Sequence, residues 1–215
     1  FSKIRSIEQE ISKKYIEGKM RCPVHLSVGQ EIIPSILSLF VKKEDSYIST
    51  HRGHAHYISK NGNINEMISE IYGKKTGTSK GNGGSMHLID TKVNFMGTTA
   101  IVGNSIPVGI GLGLANNIKK QNSISYIFLG DGATEEGVFY ESVNFAALKN
   151  IPVVFICENN FYSVYSSLKD RQPKERNIIK VVEGMGVKSI RSKSKSIEEI
   201  YNVIKYGVNF SKKNR

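Results

Sequence analysis

The chain has no tryptophan, only two cysteines and five prolines among 215 residues, and clearly fewer acidic than basic side chains. Each shortage narrows the reading. Cys22 and Cys157 stand far apart, so they offer neither a disulfide framework nor a paired-thiol motif, and a reducing cytoplasm is the expected setting. No stretch of about 18 apolar residues occurs, so no membrane span is expected. The opening FSKIRSIEQEISKKYIEGKM is charged and amphipathic, unlike the apolar centre of a signal peptide. The first residue is Phe1 rather than Met, which reads as a fragment or a lost start.

The formal net charge is +11, and its distribution matters more than its size. From Lys169 onward there are 13 basic and 5 acidic residues, so most of the excess lies in the tail. No aromatic platform is interleaved with it and no groove-binding motif accompanies it. Nucleic acid is therefore not the expected partner; a solvated basic face, or one that docks on an acidic partner, is.

One stretch organises the chain. Ile124 to Leu129 is an apolar and aromatic run closed by Gly-Asp-Gly, and Pro152 to Cys157 is a second run closed by Glu158, Asn159 and Asn160. Runs this apolar suit strands buried on both faces of a parallel sheet. Between them Thr134 is placed to cap a helix with Glu135 and Glu136 in its first turn, and Val138, Phe139, Val143, Ala146 and Ala147 recur at helical spacing. The result is a βαβ unit whose right-handed crossover brings both carboxyl ends to one sheet edge. Ligands of open α/β sheets bind there, and Asp131 and Asn160 would meet there.

Elsewhere the sequence predicts an amphipathic helix over residues 1 to 20, with Ile4, Ile7, Ile11 and Tyr15 inward. A second helix is expected from Ile32 to Phe40, a third over the segment NINEMISEIYGKK, a strand around Val187 to Ile190 and a last helix from Ile197 to Val208. All five histidines lie between His25 and His87. Alternation would put His54 and His56 on one strand face, as a metal pair would be, but no Cys or carboxylate stands at zinc-ligand spacing. Arg52 among imidazoles reads better as an anion grip. Gly77, Gly81, Gly83 and Gly84 mark either a loop over a ligand or a surface loop. They do not form a Walker loop, and GIGLG at 109 to 113 lacks the preceding strand of a dinucleotide fingerprint, so its glycines are expected to let a helix pack closely.

Gly-Asp-Gly followed after 26 residues by Asn-Asn resembles the thiamin diphosphate fingerprint. HLSVGQE, STHRGH, SKGNGGSMHL, AIVGNSIPVGIG, GDGATEEG and NFAALKNIPVVFICENN, in that order, look like the alpha subunit of the thiamin-dependent 2-oxo-acid dehydrogenases, acetoin dehydrogenases included. The resemblance runs from about His25 to Tyr162. It implies an α/β thiamin diphosphate-binding fold, a mostly parallel sheet with helices on both faces, formed here as a single diphosphate-binding domain over 1–215. It further implies magnesium held by the side chains of Asp131 and Asn160 and the carbonyl of Tyr162. Arg52, with His51 before it, would grip the diphosphate; Ile101 and Val102 would touch the aminopyrimidine; Gly132 and Ala133 would donate amides. His25, His54 and His87 fall in motifs near the site, with His25 and His54 the catalytic candidates.

The implied activity is decarboxylation of a 2-oxo acid, or cleavage of acetoin, with acyl transfer to lipoamide on a lipoyl acyltransferase. A beta subunit would carry the pyrimidine-binding domain and the catalytic glutamate. The chain departs from the family in lacking the Tyr-Arg-x-x-x-His-Ser segment after the last helix, so truncation at the carboxyl end is expected. His51 stands where the family usually has tyrosine, as in the acetoin branch. FYSVYSSLKDRQP differs from the phosphorylatable loop of mitochondrial members, so regulation by that route is not implied. Two other readings are the amino-terminal half of a split transketolase, against which STHRGH and GGSMHL argue, and a catalytically silent scaffold of the same fold.

Overall fold

The structure is a computed structural model that describes residues 1–194 and 196–213. Contacts gather into two compact units, Phe1–Ile101 and Val102–Arg215, each built around a pair of parallel strands.

In the first unit, helix α1 (Ser2–Tyr15) turns Ile4, Glu8 and Ile11 inward at helical spacing, with Lys13 and Lys14 at its carboxyl end, where cations suit the helix dipole. Helix α2 (Ile32–Leu37) stops short of the expected Phe40, because Leu39 and Phe40 close single turns. Strand β1 (Ser46–Thr50) is buried along nearly its whole length. Helix α3 (His54–Ser59) replaces the expected strand around the histidines. Helix α4 (Ile64–Ile71) begins where Asn63 Oδ1 accepts from the amides of Asn65 and Glu66 at 2.9 and 3.3 Å, an ordinary asparagine cap. Strand β2 (Phe95–Thr99) runs parallel to β1, from Tyr47 beside Phe95 to Thr50 beside Thr99. Tyr57 packs edge-on against Phe95 at 5.2 Å and donates its hydroxyl to Asp90 Oδ2 at 3.0 Å.

The second unit holds the organising stretch. Helix α5 (Ser105–Ile118) needs a glycine at 113, where a Cβ would stand 2.6 Å from Val153 and 2.7 Å from Ile151. The close packing expected of the GIGLG run is real at that position. At Gly111 nothing lies within 4 Å. Strand β3 (Ser125–Gly130), helix α6 (Gly137–Leu148) and strand β4 (Val153–Glu158) form the expected βαβ unit, with β3 and β4 parallel and in register from Ser125 beside Val153 to Gly130 beside Glu158. Five of the six β3 residues are buried, but β4 is only half-buried and Cys157 is exposed. The reason is local: among the described residues β4 hydrogen-bonds to β3 alone within this unit.

Beyond β4 come a short hairpin of β5 (Tyr162–Ser163) and β6 (Ser166–Ser167), then α7 (Leu168–Arg171), α8 (Ile178–Gly184) and α9 (Ile197–Lys213). The strand expected at Val187 to Ile190 does not form. Gly186, at φ +86°, ends α8 with its amide on the Glu183 carbonyl, and among the described residues those after it pair with no strand.

Candidate functional site

Asp131 leaves β3 directly after Gly130, and Asn160 lies two residues beyond Glu158, the register partner of Gly130. The crossover has therefore brought the carboxylate and the amide to the same end of neighbouring strands. Asp131 opens a 3₁₀ turn, Asp131–Glu135, before α6. Thr134 does not cap the helix as expected: its hydroxyl donates inward to the Asp131 carbonyl at 2.7 Å, and Glu136 is the residue that precedes the first turn of α6. Gly132 admits no side chain, since a Cβ there would stand 2.7 Å from Ser163 Oγ. Ala133 is buried beside it.

Across the strand ends, Asn159 Oδ1 accepts from the Phe161 amide at 2.9 Å and Asn160 Oδ1 from the Tyr162 amide at 3.0 Å. Two consecutive side-chain turns of this kind reverse the chain sharply, and Phe161 sits at φ +68° within them. Tyr162 is more than half exposed.

Two arginines that sequence reasoning did not single out complete this corner. Arg171 Nη2 lies 2.5 Å from Asp131 Oδ2, and its Nη1 pairs with Glu135. Arg176 donates to the Thr134 carbonyl and, at 2.8 Å, to the Tyr140 hydroxyl. Nothing but their charge marked them in a polar segment with no periodicity.

A carboxylate, an amide oxygen and a main-chain carbonyl are hard oxygen donors of the kind magnesium takes. The carboxylate of Asp131, 5% exposed, already stabilises one cation, the guanidinium. The residues present fit a divalent cation carrying a diphosphate. Among the described residues no three His, Cys, Asp or Glu side chains cluster as metal ligands.

The first unit carries the histidines and Arg52. Arg52 Nη1 donates to the Leu26 carbonyl. The rings of His25 and His51 meet edge-on at 4.6 Å. Burial, then the charges of His25 and Arg52, push the His51 imidazole down to about 4; burial and Arg52 likewise lower His25. His51 is therefore neutral at pH 7. Its stabilising contribution is complete above the ordinary 6.5 and declines as pH falls from there toward about 4, because the unfolded chain takes up the proton first. A proton NMR titration is expected to find the His51 midpoint near 4; a midpoint at the ordinary value would contradict the packing described.

His54 and His56 share a helix and not a strand face, and each is already engaged. His56 Nδ1 meets Ser49 Oγ at 2.6 Å, and His54 Nε2 meets Ser85 Oγ at 2.7 Å. His54 Nδ1 also lies 3.2 Å from Glu8 Oε1, with both side chains fully enclosed; this is a close approach without hydrogen-bond alignment. Ile101 and Val102, each in its own unit, are exposed.

The glycine-rich segment turned out to have an internal ligand. Glu70, fully buried on α4, accepts the amides of Ser79 and Gly81 on Oε2 at 2.7 and 2.9 Å, and those of Gly83 and Gly84 on Oε1 at 2.6 and 3.3 Å. A Cβ at 77 would collide with Oε2 at 2.3 Å.

The chain is 37% identical over 211 residues to the pyruvate dehydrogenase E1 component subunit alpha of Rickettsia bellii, covering 98% of this chain and 64% of that one. It is 40% identical over 159 residues to the alpha subunit of acetoin:2,6-dichlorophenolindophenol oxidoreductase of Bacillus subtilis, covering 74% of this chain and 48% of that one. The chain thus spans less than two thirds of these relatives' length. In fold it is similar to benzoylformate decarboxylase of Polynucleobacter necessarius, with a TM-score of 0.54 at 12% identity, covering 84% of this chain and 31% of the other. The model of the dehydrogenase E1 component matches residues 1–215, and the chain belongs to that family.

Proposed function

We propose that the protein is the alpha subunit of a thiamin diphosphate-dependent enzyme that decarboxylates 2-oxo acids or cleaves acetoin and passes the acyl unit to lipoamide. The observation that carries this reading is the register of β3 and β4, which delivers Asp131 and Asn160 to one sheet edge. Asp131 and Asn160, with the carbonyl of Tyr162, would hold magnesium, and the amides of Gly132 and Ala133 would meet the diphosphate, as small residues at a strand end permit. In the first unit Arg52, with neutral His51 beside it, is assigned to phosphate, and Ile101 and Val102 to the aminopyrimidine. When bound, the cofactor supplies an acidic thiazolium carbon and an electron sink for decarboxylation.

His25 and His54 each keep a buried Nδ1 without a hydrogen-bond partner. His54 would act through Ser85 and the glycine loop. A beta subunit would supply the pyrimidine-binding domain and its glutamate, since Glu135 is committed to Arg171 and Gln172. A lipoyl acyltransferase would accept the product, and the reducing cytoplasm would house the assembly.

The test is to co-express the full chain with a beta-type subunit and follow decarboxylation with thiamin diphosphate and magnesium. Turnover of a 2-oxo acid or acetoin by the pair, and none by the chain alone, is expected. Turnover by the chain alone would sink the division of labour, and none by the pair with any 2-oxo acid or acetoin would sink the reading.

A further inference from the structure

We propose that Arg171 is a positioning residue that sets the cation preference of the site: by holding one oxygen of Asp131 it leaves the carboxylate to bind a divalent cation through the other alone, which suits magnesium and disfavours calcium. This rests on Asp131 as a ligand of the cation and adds which cation that ligand selects.

An arginine fork often meets a carboxylate through two parallel bonds, one to each oxygen. In the second unit the fork is instead split between two acids. Arg171 Nη2 lies 2.5 Å from Asp131 Oδ2, and Nη1 pairs with Glu135 Oε1. Its Nε donates to the Ser166 carbonyl at 3.3 Å, and Gln172 Nε2 reaches the same Glu135 oxygen at 2.6 Å. Gly132 lies against the same guanidinium, since a Cβ there would stand 3.4 Å from Nη1. The Asp131 side chain is 5% exposed and that of Arg171 12%, so water screens the contact poorly.

The carboxylate has little freedom to reorient. Asp131 follows directly on the last paired residue of β3, and its carbonyl accepts from the Thr134 hydroxyl at 2.7 Å. Turning the carboxylate would break its charge-assisted bond to Arg171. A cation that used Oδ2, at a metal–oxygen distance of about 2.0–2.6 Å, would stand no more than about 5 Å from Nη2, the sum of the two contacts. A dication and a guanidinium that close in a poorly solvated corner repel strongly. Bound through Oδ1 alone, the cation can stand farther from Nη2 and still draws on the carboxylate's charge. The two common dications respond differently to that constraint. Magnesium demands a near-ideal octahedron, which the narrow bite of a two-oxygen carboxylate distorts; calcium is larger, accepts six to eight oxygens and readily takes both from one carboxylate. Fixing Asp131 as a one-oxygen ligand therefore withholds from calcium a contact that magnesium does not use. Removing the arginine also relieves repulsion on any dication, but it does so for both alike, so the ratio of the two affinities reports the constraint.

The experiment uses the full chain co-purified with its beta-type subunit in the presence of thiamin diphosphate. Mn²⁺ is the probe, read by electron paramagnetic resonance and displaced by Mg²⁺ or by Ca²⁺. Wild type is expected to favour Mg²⁺, and a wild-type preference for Ca²⁺ overturns the role of Arg171 without any variant. Arg171→Met is expected to raise the affinity for Ca²⁺ relative to Mg²⁺ by about tenfold, the lower end of the effect of a group that orients a metal ligand. A purely structural loss weakens both cations and leaves the ratio where it was. Arg171→Gln gives the same comparison if the methionine variant does not assemble. A ratio unchanged or lowered in a variant that still binds Mn²⁺ overturns the role of Arg171 alone. No thiamin diphosphate-dependent Mn²⁺ binding by wild type overturns the functional reading and this role with it.

Discussion

Replacing Glu70 with alanine is expected to destabilise the first unit by about 3–5 kcal/mol, enough to remove a large share of a typical domain's stability. The carboxylate is wholly enclosed and accepts four main-chain amides, three of them from glycines that have no side chain to fill the space. Deleting it strands those donors. The isosteric Glu70→Gln is the sharper variant, expected to cost about 2–4 kcal/mol. Whichever way the amide is turned, its NH₂ faces two amide donors, Ser79 and Gly81 or Gly83 and Gly84, so shape is kept and only acceptor capacity is lost.

The pH dependence follows the same contacts. Burial raises the Glu70 carboxyl and the bonds from Gly81, Ser79, Gly83 and Gly84 lower it, with the bonds prevailing. Its contribution is therefore fully present above the ordinary carboxylate range and is lost as pH falls through the lowered folded value. Urea unfolding of wild type and Glu70→Gln should accordingly differ at pH 7 and converge in acid. Equal midpoints at pH 7 would show that the loop finds other acceptors.

That loop shows where sequence reading stops. Four glycines in eight residues announce bare backbone donors, and by themselves they leave open whether a ligand or solvent meets them. The acceptor was a residue of the preceding helix, and no spacing rule connects position 70 to positions 79 through 84. Buried carboxylates are rare enough that α4, with Met67, Glu70 and Ile71 all turned inward, offered a hint: an acid on the apolar face of a helix ahead of a glycine run needs donors, and the run has them.

The βαβ unit was legible for the opposite reason. Its strand positions are set by local composition, and its helix by apolar residues at a period that only a helix satisfies; the meeting of Asp131 and Asn160 then follows from handedness alone. Over three residues, by contrast, His54, Ala55 and His56 fit either period, and their burial on α3 was decided by neighbours: Glu8, Ser85 and Ser49. Thr134 misled because Thr-Glu-Glu has the composition of a helix start. The hydroxyl instead serves the turn that carries Asp131, and the helix waits for Gly137. Val187 to Ile190 carries two β-branched residues, yet a strand needs a partner in register, and the sequence does not name one.

Asp131→Asn is expected to weaken magnesium-dependent binding of thiamin diphosphate by more than about a hundredfold, the loss being larger than that seen when only a supporting group around a metal is removed. Asparagine has the same outline and can still accept from Arg171, so folding should change by less than about 2 kcal/mol, and calorimetry can be run on intact protein. The size of the effect separates two roles of one carboxylate. Neutralising Asp131 loosens its hold on Arg171 and at the same time removes a charged ligand. If the carboxylate served only to hold Arg171, the variant would bind cofactor as wild type does. If it is the cation's own ligand, freeing the arginine returns nothing, because the oxygen it vacates no longer carries the charge a dication requires, and binding is lost. Asp131→Asn binding as tightly as wild type would remove the residue from the site altogether.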